Sequence, residues 1–291
     1  MYKAIGANKR NTFLIMAVFV GLISAIGYII SSFYGNTSIT YWVIGGAALY
    51  ALIQYFAAGK LAVAMTGAQE IEKRDNPRLY RVVENLSITL GMPMPKVYLI
   101  DDSAPNAFAT GRDPKHAIVA ATTGLLDIMD DRELNAVMAH EMGHVQNYDI
   151  RVSMIAFGLV SAIGILSDIV IRMLFFSDNR NSNSNPIVLV VGIVVIILAP
   201  IVAMIVQMAI SRQREYLADA TGALTIRDSD GMASALEKLQ AYGKPMRKQQ
   251  SATAQLFISN PLKPGFFSKL FSSHPPLEDR IKRLRDNASK F

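Results

Sequence analysis

The 291-residue sequence contains no cysteine. That absence excludes a disulfide framework, a cysteine nucleophile and thiolate metal ligation, so any metal must be held by imidazole, carboxylate or water. Histidine is scarce as well, with four residues available for that work. Charge is thin: 18% of residues are Asp, Glu, Lys or Arg, against 51% hydrophobic, and the mean hydropathy is +0.27. Such a chain is too apolar for an ordinary water-soluble globule. There is no internal repeat and no phosphate-cradling glycine loop, so no nucleotide-driven step is expected within the chain. The net charge of +6 comes without aromatic residues interleaved among the basic ones. No nucleic-acid groove is therefore expected, and basic flanks against an anionic lipid surface account for the charge.

Four long apolar runs are present, at 12–33, 41–58, 152–176 and 187–210. Each is close to the roughly 20 residues a helix needs to cross a bilayer, so four transmembrane helices and a lipid-bilayer partner are predicted. A turn around Gly35-Asn36-Thr37 joins the first two, and Pro200 kinks the fourth. Lys3, Lys9 and Arg10 precede the first run as in a signal peptide. A secretory apolar region spans only about 7–15 residues, so 12–33 is expected to stay as an anchor. Asp168 and Arg172, at i and i+4 near the outer end of the third run, are expected to pair along the helix rather than relay protons. The polar run 178–185 is an outer loop.

Lysine and arginine orient the frame. Three precede the first run, ten lie within 60–151 and fourteen within 212–291, whereas the outer links hold only Arg180. Both termini and both polar segments are thereby predicted to be cytosolic. The organisation that follows is a hairpin at 1–58, a cytosolic segment at 59–151, a second hairpin at 152–210 and a cytosolic segment at 211–291. The two polar segments together have the size of one domain and are expected to fold together beneath the membrane.

The chemistry lies in His140-Glu141-Met142-Gly143-His144, on a helix predicted to begin after Asp130-Asp131 with Glu133 in its first turn. Residues four apart share a helix face, so both imidazoles can bind one metal while Glu141 reaches the water such a metal activates. A third ligand is expected from Arg214-Glu215-Tyr216-Leu217-Ala218-Asp219, where spacing alone allows either carboxylate. His144 precedes the third run by about 12 Å of helix and Glu215 follows the fourth by about 8 Å, which brings both to a common level if the helices run on. A purely structural zinc prefers four closed protein ligands, so the spare Glu141 weighs against a metal-stapled scaffold or chaperone. Residues 106–111, a turn at 112–115 and residues 116–121 form a strand, turn and strand, whose edge can take an extended peptide. His116 is expected to point from that second strand rather than bind metal. An amphipathic helix is predicted over 78–90, and 266–271 either dips into the inner leaflet or packs as a surface turn.

HEMGH at 140–144, EYLAD at 215–219, PNAFATG at 105–111 and SHPPLEDRI at 273–281, within the four-span frame, resemble the HtpX-type membrane zinc proteases. That family is related to the type I CAAX prenyl endopeptidases, and the resemblance covers nearly the whole chain. It implies an α-helical membrane protein with four transmembrane helices and a cytosolic α+β zincin-like (gluzincin) domain carrying a small sheet. It further implies one Zn2+ per chain, held by His140, His144 and Glu215, with Glu141 as general base. Asp219 then orients a ligand histidine, His274 is a candidate oxyanion partner, and Asn106 is a candidate substrate-binding residue. The implied activity is endopeptidase action at the cytosolic face of a bacterial inner membrane. Its substrates are damaged or misfolded membrane proteins and unfolded polypeptides under stress. A CAAX-type processing peptidase shares the ligands but would be expected to enclose its substrate in a larger helical chamber.

Overall fold

The computed structural model describes residues 2–156, 158, 162, 212–248, 251–254, 256–263 and 275–288. Almost all of the third apolar run and the whole of the fourth lie outside the described residues. So do Asp168, Arg172, Pro200, the 178–185 loop, residues 266–271 and His274.

Two long helices, α1 (Tyr2–Tyr34) and α2 (Ser38–Thr66), form a hairpin. By length and composition both can cross a membrane, over Ile5–Ile29 and Ser38–Thr66. Lys3, Lys9 and Arg10 are good helix formers, so α1 starts well before its apolar run. Helix α2 continues past residue 58 because nothing breaks it before Gly67, whose φ of +75 ends the helix as its N–H caps the Val63 carbonyl. A charge marks the end of an apolar run, not the end of a helix. At Gly27 a Cβ would lie 2.7 Å from the Cβ of Val43, so α1 and α2 approach closely there. Tyr34, Tyr41 and Trp42 are exposed around the turn, where rings that are apolar with a polar handle favour a lipid–water boundary.

Four strands make a mixed sheet in the order β1-β2-β4-β3. They are β1 (Gln69–Glu70), β2 (Lys96–Ile100), β3 (Ala107–Gly111) and β4 (Ala117–Thr122). β2 and β4 run parallel from Lys96↔Ile118 to Ile100↔Thr122, while β3 and β4 are antiparallel from Ala107↔Ala121 to Gly111↔Ala117. Side chains alternate between faces. Ala107, Ala109, Ala117, Val119 and Ala121 enter one core, whereas Phe108 and Ala120 enter another with Ala58 and Ala62 of α2. Both faces of the sheet are thus covered, which explains its runs of alanine, valine and isoleucine.

The second strand begins one residue later than expected. Asp113 accepts hydrogen bonds from the N–H groups of Lys115 and His116, both at 3.0 Å, and caps a 3-10 turn at Pro114–His116. His116 therefore sits in that turn, 2.7 Å from Asp113, and not on the strand. Gly111 closes β3 at φ +134, where a Cβ would collide with the His116 carbonyl.

The remaining described helices are α3 (Pro77–Leu90), α4 (Thr123–Ile128), α5 (Asp131–Gln146), α6 (Arg212–Ile226), α7 (Ser229–Tyr242), α8 (Ser251–Ala254) and α9 (Leu277–Asp286). Asn76 caps α3, and Leu79, Val83 and Leu86 form its buried stripe. At α5, Asp130 accepts from the Glu133 N–H at 2.8 Å while Glu133 accepts from the Asp130 N–H at 2.9 Å. The reciprocal cap fixes where the helix starts. The same Glu133 carboxylate takes Lys238 at 2.6 Å and Ser234 at 2.7 Å, tying α7 to α5.

Candidate metal centre

Small residues let α5 and α6 touch. A Cβ on Gly143 would stand 3.6 Å from the Ala218 Cα, and one on Gly222 would come within 3.0 Å of the His140 backbone nitrogen. This contact carries Glu215, one turn before Ala218, to the two histidines. Replacing Gly222 with valine is expected to push α6 off α5 and weaken zinc binding about tenfold, the scale seen when supports of a metal site are disturbed. Competition against a chromophoric chelator reads that affinity, and an unchanged value would break the link between helix spacing and the centre.

His140, His144 and Glu215 each offer one donor atom, and these atoms lie within 4.8 Å of one another. The His140 and His144 Nε2 atoms are 3.1 Å apart, and the Glu215 carboxylate oxygens lie 3.6 and 3.5 Å from them. In a tetrahedral zinc site with bonds near 2.0–2.1 Å, neighbouring ligand atoms stand about 3.3 Å apart, so the donor set fits that ion. The orientation of the rings fits as well. Each imidazole turns its Nδ1 to a carboxylate, His140 to Asp219 at 2.9 Å and His144 to Asp149 at 3.0 Å. Nδ1–H then donates to the carboxylate and the Nε2 lone pair faces inward.

Of the two carboxylates that spacing left open, Glu215 faces both Nε2 atoms and Asp219 faces the far nitrogen of His140. Two supports were not found from the sequence. One is Arg280 on α9, which is fully buried and grips Asp219 with two bonds, Nε to Oδ2 at 2.8 Å and Nη2 to Oδ1 at 2.7 Å. It belongs to the SHPPLEDRI stretch, six residues after His274. The other is Asp149, beyond the end of α5. The helix does not run straight into the third apolar run as expected. It stops at Gln146, turns through Asn147 and Tyr148 with Tyr148 in the left-handed region at φ 62, and is helical again from 149.

Electrostatics favour a base and a cation here. Burial pushes Glu141 up to about 7, close to a working general base's range, and the Ala109 N–H of β3 hydrogen-bonds to its carboxylate. Burial and the neighbouring Arg280 guanidinium pull His140 down to about 4, so it is neutral near pH 7. Burial also pulls His144 down, but the carboxylates of Glu215 and Asp149 outweigh it and push the ring up to about 9. Positive charge is stabilised at that point, and a divalent ion would meet the same field.

The edge strand is less open than expected. All five residues of β3 are buried. Phe108 already pairs with Phe257, and the Ile258 N–H donates to the Ala107 carbonyl at 2.9 Å. Asn106 precedes the strand and is buried; its amide donates to the Ser259 carbonyl at 2.8 Å and accepts from the Ser259 N–H at 3.1 Å. It bolts 257–259 to the sheet edge.

A pair of helical histidines, a carboxylate from a second helix and a buried glutamate beside the first histidine form the frame of a metallopeptidase. Residues 73–288 match the sequence model of Peptidase family M48, and the chain belongs to that family. Over its whole length it is similar to proteins named Protease HtpX homolog. It is 57% identical to the one from Tropheryma whipplei (strain Twist), covering 100% of both chains. It is 42% identical to the one from Dictyoglomus thermophilum, covering 98% of this chain and 94% of that one. The fold is also similar to that in the crystal structure of S. mikatae Ste24p, with a TM-score of 0.52 at 20% identity, covering 98% of this chain and 67% of that one.

Proposed function

We propose that the chain is a zinc endopeptidase of a bacterial inner membrane that hydrolyses damaged or misfolded membrane proteins and unfolded polypeptides at the cytosolic face, as part of protein quality control under stress. The observation that carries this reading is the convergence of His140, His144 and Glu215 with Glu141 on the same turn of α5. Four spans with both termini in the cytosol follow from the apolar runs and the distribution of basic residues.

One zinc per chain, held by His140, His144 and Glu215, would supply a Lewis acid that polarises the scissile carbonyl and acidifies water. Glu141 takes the proton of the attacking water and returns it to the leaving amine. Asp219 and Asp149 hold the two imidazoles in the tautomer that binds metal. The β3 edge beyond Phe108 lies alongside Glu141, whose carboxylate takes the Ala109 N–H, and an extended peptide is held next to it, with Asn106 fixing the strand's start. His274 supplies a donor to the developing oxyanion.

Metal removal tests the reading. Cleavage of an unfolded model protein by detergent-purified chain is expected to stop after chelation and return with one equivalent of zinc. Cleavage that survives verified zinc removal would end it.

A further inference from the structure

We propose that Asn8, near the start of α1, is a positioning residue for the metal centre, holding His144 through Asp149. Asn8 is a polar side chain with only 4% of its surface exposed. Its amide Nδ2 donates to the Asn147 carbonyl at 2.9 Å and to Asp149 Oδ1 at 2.6 Å. The other oxygen of that carboxylate, Oδ2, lies 3.0 Å from His144 Nδ1. One carboxylate is thus shared between a ligand histidine and the first long helix. The inference rests on the reading of His144 as a metal ligand, and it reaches a residue outside the family match at 73–288.

The geometry explains why a support is needed. Asp149 stands past the break at Asn147 and Tyr148, so the helical repeat of α5 does not by itself place its carboxylate beside His144. Its Oδ1 has Arg214 Nε at 3.9 Å, an ion-pair distance rather than a hydrogen bond. Asn8 fixes both ends of the turn with one amide, gripping the carbonyl of Asn147 and the carboxylate of Asp149. The position of Asn8 is itself held. Thr12 Oγ1 donates to its carbonyl at 2.9 Å, and Lys9 Nζ lies 4.5 Å from the centre of the Tyr148 ring. Supports of this kind keep the imidazole turned with its lone pair inward, and losing them weakens metal affinity about 10–100-fold. The centre is therefore incomplete without the N-terminal helix.

The test uses the full chain in detergent and reads zinc affinity by chelator competition, with thermal unfolding alongside. The variants are Asn8→Leu, Asn8→Asp, Asp149→Ala, the Asn8→Leu/Asp149→Ala double variant and His144→Ala. Asn8→Leu removes the donor at similar size, and Asn8→Asp keeps the shape but sets a carboxylate against Asp149. Each is expected to weaken zinc binding about tenfold. In the Asp149→Ala background, Asn8→Leu is expected to add nothing. Should the leucine variant not fold, the aspartate variant carries the test. A lower melting temperature with unchanged zinc affinity would reduce Asn8 to a structural tie and overturn the proposal. An equal loss in both backgrounds would also overturn it, because Asn8 would then act by a route other than Asp149. Zinc affinity unaffected by His144→Ala would instead bring down the metal-site reading, and this inference with it.

Discussion

Replacing Glu141 with glutamine is expected to lower kcat/KM for peptide hydrolysis about a thousandfold, within the range of about 10²–10⁴ for loss of a general base. Zinc affinity should stay within a few-fold of the wild type, since Glu141 is not among the three converging donors. The substitution keeps the shape of the side chain, and its amide oxygen can still accept from the Ala109 N–H. Stability should hold as well, because burial already disfavours the charged carboxylate and glutamine carries no charge. The loss would therefore fall on kcat. Steady-state kinetics beside a zinc titration check this, and a variant that cleaves as fast as wild type would remove Glu141 from the reaction.

The second large effect concerns Arg280. Burial works to raise the Asp219 carboxyl, but the Arg280 guanidinium and the His140 ring hold it well below the usual carboxylate range. Arg280→Met leaves that carboxylate buried without its main partner. Breaking a buried pair from one side costs about 3–5 kcal/mol, which for a domain of this size lowers the melting temperature by roughly 10 °C. The double variant Arg280→Met/Asp219→Asn should recover most of the loss, since it removes the orphaned charge. Thermal unfolding in detergent measures both, and a shift of under about 1 kcal/mol for the single variant would show that water reaches the pair.

Much of the centre was legible in the sequence because its parts are local. His140, Glu141 and His144 lie within one helical turn, and Glu215 and Asp219 within another. The supports were hidden for physical reasons. Read along an unbroken helix, a residue five places after His144 points about 140° away from it. The left-handed Tyr148 brings Asp149 back, and the one cue in HVQNYDI is Asn147, a weaker helix stop than glycine. Arg280 and Asn8 act across 61 and 141 residues of chain, a range at which one sequence carries no pairing signal. In the fold, the body of α3, the α5 start and the hairpin turn were readable from the apolar spacing over 78–90, from Asp130 and from Gly35, whereas the Asn76 cap was not. The ends of α2 and the start of β4 were not either, because Lys60 ends the apolar run without ending the helix and because the Asp113 cap absorbs His116.

The division of the donors between α5 and α6 also sets an order in time. Glu215 follows His144 by about 70 residues, and synthesis at ~5–20 residues per second separates them by roughly 4–14 s. The nascent chain thus carries an HExxH helix with two of the three converging donors while the apolar runs at 152–176 and 187–210 are still being made. Arg280 arrives later still. On the function proposed above, no cleaving species forms on the ribosome before Glu215 has emerged, so the chain would stay inert toward its neighbours during the interval when it is least folded.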